Sequence, residues 1–169
     1  MKYKYIIALD PSGNFEEGKG TTGCCLFSAE KKDIISTWNI RASKYKSKEE
    51  YWNAHLHYLK QFMELYKNAI IVMEDFTLNP KRALQQSYSK METSKLIGVI
   101  QMACAENKWP LKMQLPVEAK SRWPDSFLEH KHLIKRLNRG YATNSGQVIS
   151  RHEKDAIRHA VHYATFYNK

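Results

Sequence analysis

Two apolar runs in this chain each end in a carboxylate. Residues Tyr5–Leu9 lead directly into Asp10, and residues Ala69–Met73 lead directly into Glu74. Short runs of this composition predict buried strands. A carboxylate at the end of a buried strand is costly unless a positive charge or a hydrogen-bond donor pairs with it. The pattern therefore predicts two core strands whose last residues need a partner.

A third acid, Asp155, falls in the first turns of a predicted final helix, which the capping box Ser150–Glu153 opens. Two carboxylates about 4 Å apart repel by roughly 4 kcal/mol at an effective dielectric constant of about 20. If Asp10, Glu74 and Asp155 converge, their site requires a cation. Because the whole chain has a net charge of +10, the acidic cluster suggests a metal site that faces a polyanion.

The length of 169 residues predicts one domain that spans residues 1–169. No apolar stretch reaches the roughly 18 residues of a membrane helix, and the first run breaks at Asp10, unlike a signal peptide. We therefore expect a cytoplasmic protein without a membrane partner. Cys24, Cys25 and Cys104 lack metal-binding spacing and are expected to be buried, reduced thiols.

The segment 108–139 is rich in positive charge. It contains eight Lys or Arg residues and three acids, with Trp109, Trp123 and Phe127 between them. This composition is typical of a phosphate-binding surface, although a solvated basic face has the same composition. Charge alone leaves RNA, DNA and an anionic membrane open as partners.

The predicted elements follow the order βββαβαβα. This is the order of the ribonuclease-H-like α/β fold, a mixed five-stranded sheet flanked by helices, in which the first strand is central and the fourth lies beside it. Asp10 and Glu74 would then end neighbouring strands. The predicted elements are strands at 3–10, 23–28 and 33–41, a helix at 47–67, a strand at 69–76, a helix at about 82–107, a strand at 111–115, a short helix and a basic helix within 117–137, a mobile loop at 139–147 and a helix from 150.

Side-chain alternation limits which acids can share the site. In the first strand, Ala8 and Asp10 point to the same face. In the fourth strand, Glu74 and Asp75 point to opposite faces. Only one of these two acids can therefore join Asp10, and the pattern alone does not decide which.

The final helix carries a polar stripe. His152, Asp155, His159 and His162 recur at helical spacing and lie within roughly 80° of one another around the helix. We expect His152, one turn from Asp155, to belong to the site. For His159 and His162, exposed or internally satisfied histidines are the favoured interpretation.

Several segments of the chain resemble the motifs of RuvC-type Holliday junction resolvases in order and spacing. They are Ile7–Gly13 followed by Thr21–Gly23, then Val72–Phe76, and finally His152–Ala156. The resemblance spans nearly the whole chain, and with Thr93–Gly98 on the long helix it is similar to phage-encoded members. The turn region between Asp10 and Thr22 is longer than in the bacterial pattern, and His152 stands where some relatives carry Asp.

The resemblance implies metal-assisted hydrolysis of phosphodiesters in four-way DNA junctions, with 5′-phosphate and 3′-hydroxyl ends. It favours Glu74 over Asp75 and implies two Mg²⁺ or Mn²⁺ ions per site. It also implies a homodimer, with helix 82–107 as the candidate interface. The implied catalytic and metal-binding residues are Asp10, Glu74, His152 and Asp155.

The resemblance further implies that the loop after Glu74 reaches the junction centre. Phe76 or Leu78 could wedge against an unstacked base, although Phe76 could equally cap the core. Lys120 is expected to lie nearest the acids, although a plain surface lysine is an equal alternative. The candidate phosphate contacts are Lys81, Arg82, Lys120 and Arg122.

Two rival functions stay open. A less selective nuclease could cut flaps, forks or RNA–DNA hybrids, but ribonuclease H usually places its second acid on the first helix, whose centre lacks one here. A non-catalytic nucleic-acid-binding domain of the same fold would not need three acids.

Overall fold

The computed structural model describes residues 1–16, 18–77 and 91–169. The predictions for Leu78, Lys81 and Arg82 lie outside the described residues. The loop that follows Glu74 is described only as far as Thr77.

A mixed sheet occupies the centre of the described structure. Its strands are β1 (Tyr5–Asp10), β2 (Thr21–Ser28), β3 (Asp33–Arg41), β4 (Ala69–Glu74) and β5 (Leu111–Gln114). They lie in the order β3-β2-β1-β4-β5 in a 5-stranded sheet. β2 is antiparallel to β1 and β3, whereas β4 is parallel to β1 and β5. The predicted ribonuclease-H-like sheet, with the first strand at its centre, is confirmed.

Apolar residues cover both faces of β1 because the strand lies in the middle of the sheet. Ile6 and Ala8 belong to one core cluster, and Ile7 and Leu9 belong to the other. Ala8 lies opposite Val72 in the parallel β1–β4 pair, so matching positions of the two strands share a face. The predicted alternation along these strands is confirmed.

Helices cover both faces of the sheet. The described helices are α1 (Lys48–Leu65), α2 (Glu92–Glu106), α3 (Pro116–Arg122), α4 (Asp125–His130) and α5 (Arg151–Phe166). α1 and α2 pack on the face that carries Ile7, and α5 packs on the face that carries Ala8. No helix within the described ranges is long and apolar enough to cross a membrane. The predicted burial of the three free cysteines is confirmed.

Serine residues cap α1 and α5. Ser150 and Glu153 form the predicted capping box, in which each side chain accepts a hydrogen bond from the other residue's backbone N–H. At α1, Ser47 accepts from the N–H of Glu50, but Glu50 accepts from the N–H of Lys46. In a capping box Glu50 would accept from the N–H of Ser47, so at α1 this bond is displaced by one residue.

The prediction of one helix over 82–107 is wrong at Met91. This residue adopts a left-handed backbone conformation with a φ of 54°, which a continuous α-helix does not permit. α2 therefore begins at Glu92. The predicted portion 82–90 lies outside the described residues.

The basic segment before α5 forms strands where a helix and a loop were predicted. β6 (Ile134–Arg136), β7 (Tyr141–Thr143) and β8 (Val148–Ile149) make a second, antiparallel sheet. The predicted basic helix is wrong beyond α4. His132 has a positive φ of 55°, and Ile134 turns into the core cluster around Ala8.

The predicted loop at 139–147 is a β-hairpin over much of its length. The backbone N–H of Thr143 donates to the carbonyl of Gln147 at 2.8 Å and so closes the turn. Gly146 occupies that turn with a φ of 93°, a conformation that glycine adopts freely. Asn144, Ser145 and Gly146 thus mark a tight turn between two strands.

Candidate active site

β1 and β4 end side by side, and each ends in an acid. Leu9 pairs with Met73 in the parallel register, so the next residues, Asp10 and Glu74, lie at the same edge of the sheet. Asp10 is buried there, with 6% of its surface exposed. The sheet therefore gathers two of the three acids.

Of the two consecutive acids on β4, Glu74 turns toward the site. Lys120 contacts Glu74 and also Asp155. Asp75 instead accepts a hydrogen bond from the backbone N–H of Phe76 at 2.8 Å. The alternation left two candidates, and the structure places Glu74 with the other acids.

The third acid reaches the site because α5 packs very closely on β2. Gly23 lies opposite Asp10 in the β1–β2 ladder, and a Cβ atom at Gly23 would overlap the backbone of His152 and Glu153. Only glycine permits this approach. The first turns of α5, with His152 and Asp155, therefore lie against the end of β1.

Two histidines of α5 each contact one acid. Nδ1 of His152 lies 2.6 Å from Oδ2 of Asp10. Nε2 of His159 lies 2.7 Å from Oε2 of Glu74. Each histidine engages one carboxylate oxygen of its partner.

Arg158 of α5 contacts the third acid. Its guanidinium pairs with Oδ1 of Asp155 and with Asp125 at the start of α4. Asp125 also accepts a hydrogen bond from Lys154 at 2.7 Å, and the ammonium of Lys154 lies 3.9 Å from the centre of the Tyr141 ring. α5 thus supplies a basic partner for each acid, and Arg158 links the site to α4 through Asp125.

Lys120 of α3 lies between two of the acids. Its Nζ atom is 3.0 Å from Oε2 of Glu74 and 3.2 Å from Oδ2 of Asp155, and its side chain is 36% exposed. The expectation that Lys120 lies close to the acids agrees with this position. Its role as a phosphate contact stays a prediction.

Burial and charge act differently on Asp10 and Glu74. Burial raises the pKa of Asp10 above its usual value, and the charge of Glu74 adds to the effect, while the hydrogen bond with His152 offsets part of it. Burial also disfavours the charged form of Glu74, but the hydrogen bond from His159 and the charge of Lys120 bring its pKa below the usual value. The negative charge of Asp10 is thus less well compensated than that of Glu74.

The same contacts strengthen two bases. The hydrogen bond with Asp10 raises the pKa of His152 even though partial burial opposes it. Burial would lower the pKa of Lys120, but the charges of Glu74 and Asp155 raise it above the usual value. Both bases therefore favour their charged forms beside the acids.

The donor set fits a hard divalent ion by its chemistry. Carboxylate oxygens are preferred ligands of Mg²⁺ and Mn²⁺, and a nearby cation would lower the raised pKa of Asp10. Within the described residues, no three His, Cys, Asp or Glu side chains lie close enough together to hold an ion. The ammonium of Lys120 contacts Glu74 and Asp155 instead. Ion binding at these acids would require the side chain of Lys120 to withdraw and the carboxylates to approach one another.

Three residues that contact the acids or their partners were not assigned to the site from the sequence. They are His159, Gln114 and Arg158. Nδ1 of His159 lies 2.7 Å from Oε1 of Gln114, which ends β5 beside Glu74. The histidine stripe was a usable signal, because His159 follows Asp155 by about one turn. His162 is satisfied elsewhere, as expected, since Nε1–H of Trp123 donates to it.

Phe76 and Arg122, the other described candidates for DNA contact, pack against apolar side chains. Phe76 is half-buried against the core cluster around Ile7, which agrees with its alternative role as a cap of the core. Arg122 is exposed, with its guanidinium 4.8 Å from the centre of the Phe166 ring. The DNA-binding roles of Phe76 and Arg122 stay predictions.

The five-stranded mixed sheet flanked by helices matches the fold of solved RuvC structures. Thermus thermophilus RuvC in complex with a Holliday junction substrate matches with a TM-score of 0.69 at 11% identity, covering 98% of both chains. Another Thermus thermophilus RuvC structure matches with a TM-score of 0.66 at 12% identity, over 95% of this chain and 93% of that one. No family model and no curated protein sequence matches the chain. The similarity thus shows the fold that the sequence resemblance predicted.

Proposed function

We propose that this chain is an endonuclease that resolves four-way DNA junctions. The observation that carries the proposal is the gathering of Asp10, Glu74 and Asp155 at one edge of a RuvC fold. Three buried or half-buried carboxylates at one place are costly without a positive partner. The fold supports the proposal, since one similar structure holds a Holliday junction.

Asp10, Glu74, Asp155 and His152 would hold two Mg²⁺ or Mn²⁺ ions. Such ions supply a polarised attacking water and stabilise the leaving 3′-oxygen, which gives 5′-phosphate and 3′-hydroxyl ends. Oδ1 of Asp10 has no hydrogen bond within the described residues, so it is available as a ligand. His152 would be a further ligand or would orient the water through its imidazole.

Lys120 is suited to a substrate phosphate. Its ammonium contacts Glu74 and Asp155, and Asp155 is also paired with the guanidinium of Arg158. Once divalent charge is bound there, the lysine can turn to a phosphate oxygen, a favourable charge-assisted contact. The partly exposed side chain has the length for this movement.

The small sheet formed by β6, β7 and β8 offers a second basic surface for a DNA arm. Lys135, Arg136 and Arg139 are exposed on β6 and the loop that follows it. Arg136 pairs with Tyr141 in the ladder, and Tyr141 lies against Lys154 of α5. These charges are therefore close to the end of α5 that carries Asp155, where a duplex arm would leave the site.

A homodimer would supply two matched cuts in a junction with two-fold symmetry. α2 is the candidate interface, because Gly98 and Met102 are exposed on it, Met102 by 62%. A Cβ atom at Gly98 would meet no described atom within 4 Å, so another helix can approach closely there. Sedimentation of Gly98→Arg, which adds bulk without touching the described core, tests this interface, and an unchanged dimer would exclude it.

The deciding experiment for the substrate is a cleavage panel. A synthetic four-way junction, a Y-fork, a flap, single-stranded DNA and an RNA–DNA hybrid are incubated with the purified protein and Mg²⁺. We expect paired cuts in the junction and little cleavage of the others. Equal cleavage of forks and flaps would favour the less selective nuclease, and no cleavage of any substrate would favour a binding domain.

A further inference from the structure

Two buried side chains, Gln114 and His159, form a hydrogen-bonded chain that ends on Glu74. His159 is 0% exposed and Gln114 is 1% exposed. The imidazole lies between them, 2.7 Å from Oε2 of Glu74 through Nε2 and 2.7 Å from Oε1 of Gln114 through Nδ1. Because burial denies these groups water, another rotamer of Glu74 would leave the imidazole without a partner. The hydrogen bond therefore fixes the Glu74 carboxylate.

The contact distinguishes the two oxygens of Glu74. His159 engages Oε2, whereas Lys120 reaches Oε1 at 3.2 Å as well as Oε2. Oε1 is thus contacted by the ammonium of Lys120 and not by His159. It is the ligand oxygen that the proposed function requires once Lys120 withdraws.

Gln114 is suited to fix the tautomer of His159. Its Nε2 atom has no hydrogen-bond partner within the described residues. A half-turn of the amide would let its NH₂ group donate to Nδ1 of His159, and the imidazole would then donate through Nε2–H to Glu74. In that orientation every bond of the chain Gln114–His159–Glu74 has one donor and one acceptor.

We propose that His159 is a positioning residue that holds Glu74 for metal binding, with Gln114 as its anchor. His159 is not a catalytic residue, because a fully buried imidazole cannot touch DNA. The inference rests on the proposed function, since only a metal-binding Glu74 needs one oxygen held and the other presented. Hydrogen bonds of this kind, from a neighbour to a metal ligand, orient the ligand and raise metal affinity.

The test is the affinity of the full chain for Mn²⁺, measured by calorimetry without DNA. His159→Leu removes the donor, and we expect it to weaken Mn²⁺ binding by about 10- to 100-fold. His159→Gln places an amide N–H near the position of Nε2 and should recover most of that loss. The matched control is His162→Gln, on the same buried helix but bonded to Trp123, which should bind Mn²⁺ as the wild type does.

The outcomes separate the inference from the proposed function. If wild-type protein binds no Mn²⁺, the proposed metal site fails. If it binds Mn²⁺ and His159→Leu binds equally well, or His159→Gln is as weak as His159→Leu, the positioning role is overturned alone. Should His159→Leu not fold, Gln114→Leu replaces it. That variant keeps His159 but removes its anchor, so weaker Mn²⁺ binding supports the role and wild-type affinity overturns it.

Discussion

The Nζ atom of Lys120 lies 3.0 Å from Glu74, so a side chain of α3 supplies a cation to the acid that ends β4. The same ammonium lies 3.2 Å from Asp155 of α5. One flexible side chain thus connects three elements of the fold at the place where a divalent ion is proposed. The protein has its own counter-charge for the acids when no ion is bound.

Removal of the Lys120 ammonium should lower the free energy of unfolding most in metal-free buffer. We expect Lys120→Met to lower the free energy of unfolding by about 1 kcal/mol in metal-free buffer, since Glu74 and Asp155 lose a partly exposed ion pair. Saturating Mg²⁺ should reduce the difference, because the ion takes over the charge and binds only the folded state. Urea unfolding with and without Mg²⁺ measures both values. Lys31→Met, at the exposed β2–β3 turn, serves as the control. If Lys120→Met lowers the free energy of unfolding equally with and without Mg²⁺, then the lysine and the ion do not occupy the same position.

Two glycines should respond in opposite ways to the same substitution. Gly23→Ala places a methyl group into the backbone of His152, so we expect it to destabilise the protein by about 1–3 kcal/mol. Gly98→Ala adds a methyl group on the exposed face of α2 and should stabilise the monomer by about 0.5–1 kcal/mol. Urea unfolding of both variants checks the pair. Similar small effects at both positions would contradict the close packing of α5 on β2.

His55 should make stability depend on pH. Burial lowers the pKa of His55 from 6.5 to about 4, although its hydrogen bond to the carbonyl of Tyr51 opposes the shift. The folded protein keeps this histidine neutral while the unfolded chain protonates it below about pH 6.5. Its contribution is therefore complete above pH 6.5 and is lost as the pH falls toward 4, by about 3 kcal/mol in total.

The pH effect is isolated by comparison with two variants. Unfolding free energies of wild type and His55→Gln are measured from about pH 7.5 to about pH 4.5, and the difference should shrink as the pH falls. Asn53→Gln, an exposed position without a titratable group on the same helix, should show a constant difference. A constant difference for His55→Gln as well would show that this side chain does not titrate as inferred.

The small sheet should contribute to DNA binding through salt-dependent contacts. We expect the triple variant Lys135→Ala/Arg136→Ala/Arg139→Ala to weaken junction binding. The slope of log K against log salt should become shallower by about 0.9 for each phosphate that the variant no longer neutralises. Fluorescence anisotropy at several salt concentrations gives the slope.

The control removes equal charge from the far end of the sheet. Ser28 pairs with Tyr5 at the start of β1, so the β2–β3 turn lies at the opposite end from Asp10. The triple variant Lys31→Ala/Lys32→Ala/Lys67→Ala should keep the wild-type slope. Equal slopes for both triple variants would mean that only net charge matters.

The local sequence pattern was sufficient to predict elements whose structure depends on residues close together in the chain. The apolar run before Asp10 and the alternation around Glu74 depend on nearest neighbours along the chain, so β1 and β4 could be predicted. The order of elements then predicted the sheet. The serine cap of α5 was likewise visible, because Ser150 and Glu153 are close in sequence.

The partners of the acids could not be derived in this way. Lys120 and Asp155 meet only because α3 and α5 pack together, and His159 reaches Glu74 only because α5 crosses the end of β4. The small sheet was missed since its strands are very short, and the left-handed His132 breaks a segment whose composition suits a helix. The contact of Lys120 with acids on distant segments leaves no periodic signal, whereas the histidine stripe of α5 was a usable signal for His159.

The most direct test of the proposed nuclease centre is Asp10→Asn, which keeps the shape of the side chain and removes its charge. Junction cleavage in Mg²⁺ and junction binding in EDTA are measured on the same preparation, with Asp33→Asn, an exposed acid at the far end of the sheet, as the control. We predict that Asp10→Asn binds the four-way junction with wild-type affinity and does not cut it, while Asp33→Asn does both. Full Mg²⁺-dependent cleavage by Asp10→Asn would contradict the proposed centre.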